Sequence, residues 1–396
     1  MSLKSPYDRL LAPIYVPSFL MALSAQAMLI LLPLYVLELG GTPAFAALIM
    51  GLHGIGILVF DVPAGMLAAR FGDKPLMLVG LVFILAGTVA LSIVSGLWML
   101  AVFATLIGVG STAWVLGRLS FITDFCPPAE RGRAIAVMAG VNRMGGFIGP
   151  VAGGIVAEFF GYSAAFFIAA ISAAAALILV FFSARNSAPS HGGHGVGLST
   201  TGRIIRDYAG VFATAGFSSL TLQLMRATRN LLVPLFGVAV GLDAVAVGAI
   251  FSFGAAVDMS LFYPVGVVVD RWGRKWTGVP SMILFAIGLS VLPLAQGFYS
   301  LLGATLLLGF ANGVSTGIVM IIGSDLAPSD QRGQFLGVWR LVSDVGWAGG
   351  PLLASVLAEI ASLAAVSFVV SVTGIVGAFV LLFLVPETLR SSIPDE

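Results

Sequence analysis

Charged residues are scarce in this sequence, and that scarcity excludes a soluble protein of ordinary composition. Only 9% of the 396 residues are Asp, Glu, Lys or Arg, and the formal net charge is +1. A soluble domain carries roughly 25% charged residues. Because 59% of the residues are hydrophobic, the chain has more apolar surface than a water-soluble fold of this length can bury, whereas a lipid bilayer accommodates it.

Cysteine and the common cofactor motifs are almost absent as well. The single cysteine, Cys126, excludes an intramolecular disulfide, and we expect a solvent-exposed thiol in a loop. There is no Gly-x-x-x-x-Gly-Lys loop for ATP, no Cys/His metal cluster and no basic aromatic surface for nucleic acid. The Gly-rich strings lie in apolar stretches rather than after strands, which excludes a dinucleotide-binding fold. We therefore expect no enzymatic activity, cofactor, metal or nucleic-acid partner.

What the sequence does contain is a series of apolar stretches long enough to cross a bilayer. A membrane-spanning helix needs about 20 apolar residues. Twelve such spans lie near 11–37, 43–69, 76–95, 98–124, 132–157, 163–184, 207–238, 243–269, 276–296, 299–325, 332–358 and 361–385. They predict an all-α polytopic membrane protein with twelve transmembrane helices.

The chain also repeats itself at an offset of 201 residues, from about residue 33 to residue 160. For example, Pro63, Gly65, Arg70, Gly72 and Lys74 recur as Pro264, Gly266, Arg271, Gly273 and Lys275. Two similar halves in one apolar chain are typical of secondary transporters, whose substrate site lies between the repeats. The repeat predicts two six-helix halves, 1–184 and 207–396, related by a pseudo-two-fold axis.

A segment rich in Gly, Ser and His, 185–206, separates the two halves and is expected to be a cytoplasmic linker. His191 and His194 could bind a metal there, but a solvated linker is the simpler interpretation of such a composition.

The distribution of Lys and Arg predicts the orientation in the membrane. Fourteen of the 19 basic residues fall on one side of the predicted bilayer. They are Lys4, Arg9, Arg70, Lys74, Arg131, Arg133, Arg185, Arg203, Arg206, Arg271, Arg274, Lys275, Arg332 and Arg390. The loops of the other side contain none, so both termini are expected in the cytoplasm. The compact loops indicate the inner membrane of a bacterium.

Eight charged residues lie well inside the predicted spans, away from the span ends. They are Asp61, Arg118, Arg143, Arg226, Arg229, Asp258, Arg340 and Asp344. Each costs roughly 3 kcal/mol on insertion scales unless its surroundings are polar. Spans 3, 6, 9 and 12 carry none in their middles, so we expect these spans to face lipid and the others to surround a cavity. The five Arg would set the charge of that cavity.

Four of the polar groups in the spans are candidates for carrying a proton. Asp344 and Asp258 lie near the middle of their spans, where a conformational change could alter their protonation. A salt bridge between Arg340 and Asp344, which are four residues apart, is the structural alternative. For Asp61 we favour a structural or gating role. His53 could carry a proton, although a satisfied polar contact is the alternative.

The loop after span 8 reads GVVVDRWGRK from Gly266 to Lys275, and its copy reads GMLAARFGDK from Gly65 to Lys74. The former resembles the signature loop of the major facilitator superfamily. The copy departs from it, because Ala69 replaces the usual acid and Asp73 a usual base, which puts the latch of that half in doubt. The resemblance implies a gating role for Gly65, Arg70, Gly72, Asp73, Lys74, Gly266, Asp270, Arg271, Gly273, Arg274 and Lys275.

Span 5 carries GGFIGPVAGG from Gly145 to Gly154, which resembles the motif of the drug–proton antiporters of that superfamily. Its small residues allow close helix packing and Pro150 introduces a kink. The residues assigned to this packing role are Gly145, Gly149, Pro150, Gly153 and Gly154. Span 4 has Ala104 where the related motif carries an arginine linked to proton coupling, so Arg118 or Arg143 would have to supply that charge.

The resemblance implies a monomer in the lipid bilayer that works by alternating access. On this interpretation it exports small amphipathic molecules, with protons as the coupling ion. One alternative is a transporter of organic anions or lipid-like amphiphiles, because five Arg face only three Asp inside the spans. A second is a non-transporting sensor on a transporter scaffold, against which the gating loop argues.

Overall fold

The computed structural model describes residues 10–185 and 198–389, and these residues form an almost entirely helical structure without strands. Twelve long helices, α1 to α12, run through the molecule. They are Leu11–Glu38, Pro43–Phe71, Asp73–Ile93, Leu97–Phe125, Pro128–Phe160, Tyr162–Ser183, 209–239, Ala244–Trp272, Lys275–Leu294, Phe298–Leu326, Arg332–Ile360 and Leu363–Phe383. The prediction of twelve spanning helices is therefore confirmed.

Among the described residues, eleven of these helices are both long and apolar enough to cross a membrane. The exception is α7, whose middle carries Gln223, Arg226, Arg229 and Asn230. Such polar groups are tolerated at membrane depth only where they face the protein interior or a cavity. The polarity of α7 thus marks it as a helix that lines a site.

The two six-helix halves meet where α2 packs against α11 and α5 against α8. Glycine allows the closest approach: a Cβ added at Gly54 would lie 2.6 Å from the Cα of Ala348 on α11. A Cβ at Gly154 on α5 would collide with the backbone oxygen of Ala244 on α8. These contacts lie toward the ends of the helices where α2 and α8 begin, and they close that side of the molecule.

The opposite side, where α2 ends and α3 begins, is open between the halves. We call it the basic side, because the Lys- and Arg-rich loops lie there. A Cβ added at Gly65 on α2 or Gly266 on α8 would meet no atom within 4 Å, and the same holds for Gly132 and Gly333. The structure therefore represents the conformation that opens toward the basic side.

The helices without charged middles present apolar side chains outward. Phe182 on α6 is 80% exposed and Ile93 on α3 is 79% exposed. On α12, Phe383 is 65% exposed, and on α9 Leu294 is 68% exposed. Surfaces of this kind are suited to lipid contact.

One local expectation needs correction. Cys126 is not solvent-exposed: it follows the last residue of α4, is only 3% exposed, and packs with Phe121 and Ala134. The predicted linker, 185–206, contains most of a helix, Leu198–Asp207, whose Ile204 is fully buried. Residues 186–197, with both linker histidines, lie outside the described residues.

Candidate functional site: two cavities between the halves

An apolar cavity of about 300 Å³ lies between α1, α2, α4 and α11. Its lining includes Ala25, Met28, Leu29, Leu32, Met50, His53, Ile57, Ala104, Ile107, Ser111, Thr112, Val115, Arg340, Asp344 and Trp347. Most of these side chains are aliphatic, and the charged ones all come from α11. The cavity can hold an apolar group beside a small cluster of charges.

The charges on α11 belong to a cluster that joins the two halves. The guanidinium of Arg340 lies 3.3 Å from a carboxylate oxygen of Asp61 on α2 and 3.4 Å from one of Asp344. The side chain of Asp61 is only 7% exposed. Both of its oxygens are buried, and within the described structure they are held by the ion pair with Arg340 rather than by a hydrogen bond. Two carboxylates therefore share one guanidinium. One of the two negative charges has no counter-ion in this cluster, so one carboxylate can take up a proton.

His53 takes part in a polar contact on the same side of the cavity. Its Nδ1 lies 3.1 Å from the carbonyl oxygen of Ala104 on α4. Because a carbonyl only accepts, Nδ1 carries the hydrogen in this arrangement. The structure thus places His53 against the position where the related motif has an arginine.

A second, polar cavity of about 310 Å³ lies between α1, α5, α7, α8, α10 and α11. Its lining includes Gln26, Leu29, Arg143, Gly146, Gln223, Arg226, Arg229, Asn230, Phe251, Ala255, Asp258, Asn312, Thr316, Gly317 and Trp347. Leu29 and Trp347 line both cavities and separate them. No lining residue of either cavity comes from α3, α6, α9 or α12.

Asp258 in the polar cavity has both an ion-pair partner and a hydrogen-bond donor. Its carboxylate lies 3.2 Å from Nη1 of Arg143 and accepts a hydrogen bond of 3.0 Å from Asn312. Arg143 also donates to Thr316 and stacks over Phe262, with its guanidinium 4.6 Å from the ring centroid. Asp258 is thus neutralised by Arg143.

Arg226 and Arg229 on α7 are held in the polar cavity without a counter-ion. Arg226 donates to Gln223 at 2.9 Å and to the backbone and side-chain oxygens of Ser315 at 2.8 and 2.7 Å. Arg229 is 5% exposed and lies 5.0 Å from the ring centroid of Phe251. Among the described residues, no carboxylate lies within 4 Å of either guanidinium.

A break in α10 shapes the cavity next to these arginines. The helix stops at Val314 and resumes at Ile318, and Gly317 between them adopts a φ of 76°. At the interruption, the carbonyl of Ser315 accepts from the backbone N–H of Ile318 at 3.3 Å and from the guanidinium of Arg226 at 2.8 Å. Irregular backbone at membrane depth is tolerated where it lines a cavity, and broken helices of this kind form the binding sites of many transporters.

Arg118 does not reach the other arginines. It donates to Asn142 at 3.1 Å, and its guanidinium lies 5.6 Å from the ring centroid of Trp114. All three line a smaller pocket of about 130 Å³ beside the apolar cavity.

The gating loops make equivalent contacts in the two halves. Gly72 and Gly273 have φ values of 88° and 105°, which an L side chain rarely adopts. Lys74 donates to the carbonyl of Phe181 at 2.7 Å, and its copy Lys275 donates to that of Leu382 at 2.8 Å. Each lysine thus ties the loop to the last helix of its own half.

In the described part of the chain, no salt bridge of Arg70, Asp270, Arg271 or Arg274 crosses the open side. Arg274 lies 2.8 Å from Asp325 on α10, within the same half. Asp73, its counterpart in the repeat, is buried at 3% exposure, while Arg70, Asp270 and Arg271 are exposed.

The glycine-rich motif on α5 packs against two neighbours. Added Cβ atoms at Gly145 and Gly153 would each lie 2.6 Å from an alanine Cβ of α1, and one at Gly149 would lie 2.5 Å from the backbone oxygen of Leu23. Gly154 and the carbonyl of Pro150 face α8 instead. The motif therefore holds α1 of its own half and α8 of the other half against one helix.

Sequence reasoning missed several lining residues that carry no charge. Asn230, Asn312 and Thr316 are polar members of the polar cavity, and Trp347 separates the two cavities. A comparison of polarity between repeat-equivalent positions would have singled out the first three, because their counterparts Leu29, Ser111 and Val115 are less polar.

Comparisons with known proteins agree with this architecture. The Multidrug resistance protein MdtH of Klebsiella pneumoniae is 23% identical over 333 residues, which covers 80% of this chain and 79% of that protein. MdtH of Edwardsiella ictaluri is 24% identical over 334 residues, covering 80% and 78%.

Solved structures share the fold at low sequence identity. A POT family transporter in complex with 5-aminolevulinic acid matches with a TM-score of 0.80 at 12% identity, and 98% of each chain is covered. The nucleoside transporter NupG matches with a TM-score of 0.76 at 15% identity, covering 96% and 99%. The family profile of the Major Facilitator Superfamily matches residues 14–262 and 215–396, and the chain therefore belongs to this superfamily of multi-pass membrane transporters.

Proposed function

We propose that the protein is a proton-coupled secondary transporter that exports small amphipathic molecules. The observation that carries this proposal is the apolar cavity beside the shared-carboxylate cluster of Asp61, Arg340 and Asp344, at the contact between the halves. The relatives named for multidrug resistance support the substrate class and the direction of transport. The sensor alternative has no support among them.

The cluster can couple a proton to the movement of the halves. Asp61 belongs to α2 and Asp344 to α11, so protonation of either leaves Arg340 with one ionised partner instead of two. The charged or titratable groups that line the apolar cavity are Asp344, Arg340 and His53, and Asp61 contacts Arg340 from α2. Protonation would change the electrostatic attraction between α2 and α11 and thereby bias one conformation over the other.

Asp258 is the weaker candidate for this role. Its carboxylate is paired with Arg143 and accepts from Asn312, so protonation would cost the free energy of both contacts. We assign to Asp258 the positioning of Arg143 in the polar cavity.

The remaining parts of the proposal concern the setting in the cell. We propose that both termini lie in the cytoplasm, that the protein works as a monomer in a bacterial inner membrane, and that 185–206 links two halves at 1–184 and 207–396. The asymmetry of Lys and Arg supports the orientation.

Proton flux in proteoliposomes tests the coupling. Vesicles that contain a pH-sensitive dye would receive an amphipathic cation, a neutral amphiphile or an amphipathic anion, with wild type beside Asp344→Asn. We expect substrate-dependent proton flux that falls at least about tenfold in the variant, because Asn cannot carry the proton. Asp124→Asn, which alters an exposed carboxylate on the basic side, is the matched control.

Flux that Asp344→Asn leaves unchanged would contradict the proton role of the cluster. Substrate movement without any proton flux would leave a transporter but contradict the coupling.

A further inference from the structure

The two cavities are copies of each other within the internal repeat. An offset of 201 converts lining residues of the apolar cavity into lining residues of the polar one. Three pairs carry the argument: Ala25 and Arg226, Met28 and Arg229, and Ile57 and Asp258. Many equivalent backbone positions thus surround both cavities, and different side chains together with the break in α10 make one cavity apolar and the other charged.

The charge of the polar cavity is not balanced by the protein. Arg143 is paired with Asp258, whereas Arg226 and Arg229 have no carboxylate partner among the described residues. In addition, the Nε of Arg226 and that of Arg229 are buried and lack a hydrogen-bond acceptor in the described part of the chain. Buried guanidinium groups without a counter-ion are costly, and an anionic ligand group would supply both charge and acceptors.

The arginines are also held in place for such a ligand. Gln223 and Ser315 fix Arg226, and the ring of Phe251 supports Arg229. Planar guanidinium groups that are already oriented lose little conformational entropy on binding an anion.

Resting on the proposed transport function, we propose that the transported molecule is an amphipathic organic anion. Its acidic group binds Arg226 and Arg229, and its apolar part occupies the apolar cavity beyond Trp347. The two volumes, about 300 and 310 Å³, each match the small end of ligand pockets. The cluster beside the apolar cavity holds two carboxylates and one guanidinium, Asp61, Asp344 and Arg340, whereas the polar cavity holds three guanidinium groups and one carboxylate, so the acidic group is favoured in the polar cavity.

A pair of fluorescent probes with one scaffold tests this proposal. 1-Anilinonaphthalene-8-sulfonate is an amphipathic anion at every usable pH, and N-phenyl-1-naphthylamine lacks only the sulfonate. Each would be titrated into the full-length protein in nanodiscs of zwitterionic lipid, with empty nanodiscs subtracted. We expect the wild type to bind the sulfonate probe at least about tenfold more tightly than the neutral probe, because hydrogen bonds from the arginines to the sulfonate add to its affinity.

Matched variants in the two cavities should change the affinities for the two probes in different ways. Arg226→Gln and Arg229→Gln should weaken the sulfonate at least about tenfold and leave the neutral probe unchanged. The repeat-equivalent Met28→Gln should weaken both probes, because both place their rings in the apolar cavity. Unchanged binding of the neutral probe also shows that the two Gln variants are folded. Arg229→Lys keeps the positive charge and should retain part of the affinity for the sulfonate.

Other patterns overturn the proposal. The proposal is wrong if the wild type binds the two probes with equal affinity or shows no saturable binding of the sulfonate. It is also wrong if the arginine variants lose equal affinity for both probes. Proton-coupled transport of a cationic or neutral amphiphile that Arg226→Gln does not alter would preserve the proposed function and reject only the anion site.

Discussion

At the scale of single residues, the same place in the repeat carries opposite chemistry in the two halves. Arg143 and Asp344 are separated by the repeat offset of 201, yet one is a cation and the other an anion. Arg143 pairs with Asp258 in the polar cavity, and Asp344 shares Arg340 with Asp61 beside the apolar one. Equivalent positions thus carry a cation paired with Asp258 in one cavity and an anion paired with Arg340 beside the other.

Cys126 offers a direct check of burial. The thiol is 3% exposed, and its burial together with the nearby carboxylate of Glu130 raises the pKa of Cys126. Both effects reduce the reactive thiolate. We expect a water-soluble maleimide to label the native protein at least about tenfold more slowly than the protein unfolded in detergent. Equal rates in the two states would contradict the burial.

Glu387 allows a pH-dependent check of the gating loop of the second half. Partial burial raises the pKa of its carboxyl. Four backbone N–H groups donate to its oxygens and together lower the pKa by more, so the pKa lies below the ordinary 4.5. Two of these donors are the amides of Arg274 and Lys275, at 2.9 and 3.1 Å. The stabilisation is therefore present above pH 4.5 and is lost as pH falls through the lower folded pKa.

Hydrogen exchange at the amides of Arg274 and Lys275 measures this contribution. At neutral pH these amides should exchange more slowly in wild type than in Glu387→Gln, and the difference should vanish under strongly acidic conditions. A difference that persists there, or none at neutral pH, would show that the carboxylate does not hold the loop.

At the scale of helices, the break in α10 and the glycine contacts of α2 and α5 have different consequences. The break between Val314 and Ile318 supplies oxygens to the polar cavity. The glycines bring helices of opposite halves close enough to close one side. The first repeat has no counterpart of the break, since α4 is continuous from Leu97 to Phe125. The contact between a backbone carbonyl and an arginine therefore belongs to the polar cavity.

The contact of α2 with α11 predicts how the conformations can be shifted. Gly54→Ala places a Cβ 2.6 Å from the Cα of Ala348, and such overpacking costs about 1–3 kcal/mol. We expect the population to shift away from the conformation that is open on the basic side. Distances between spin labels at residues 70 and 271, introduced in a Cys126→Ser background, should shorten.

Gly349→Ala on α11 is the matched control, because a Cβ there meets no atom within 4 Å. Its distance distribution should equal that of the unsubstituted protein. If Gly54→Ala also leaves the distances unchanged, the glycine contact does not set the conformational equilibrium.

At the scale of the whole molecule, the asymmetry of charge between the cavities and the asymmetry of loops across the membrane are separate features. The charge asymmetry lies along the contact between the halves and underlies the proposed binding of an anionic substrate. The second runs across the predicted bilayer and concerns insertion, because Lys and Arg retain loops in the cytoplasm.

The orientation can be measured with two single-cysteine variants made in the Cys126→Ser background. Ser95→Cys lies in the loop between α3 and α4, and Arg203→Cys lies in the linker helix on the basic side. A membrane-impermeant maleimide on intact cells should label the former and not the latter. Both should react after permeabilisation, and labelling of Arg203→Cys in intact cells would reverse the predicted orientation.

Much of the architecture followed from the sequence because membrane insertion depends on composition over local windows. Apolar length predicted the twelve helices, and the repeat predicted their grouping into halves. Side chains such as Arg226 were identified as candidate site residues because a charge in an apolar span is costly unless its surroundings are polar. Cys126 was misplaced because burial of a residue just beyond a helix end depends on neighbours distant in sequence, among them Ala134.

The sequence by itself determined the membrane class, the number of helices and the set of intramembrane charges, since these depend on residues near one another in the chain. Only the tertiary structure decided which charges meet. Asp61 is joined to Arg340 across 279 positions, and Asp258 to Arg143 across 115, by helices of opposite halves. The division into an apolar and a cationic cavity was likewise decided by packing, because a cavity exists only where the helices of the two halves face each other.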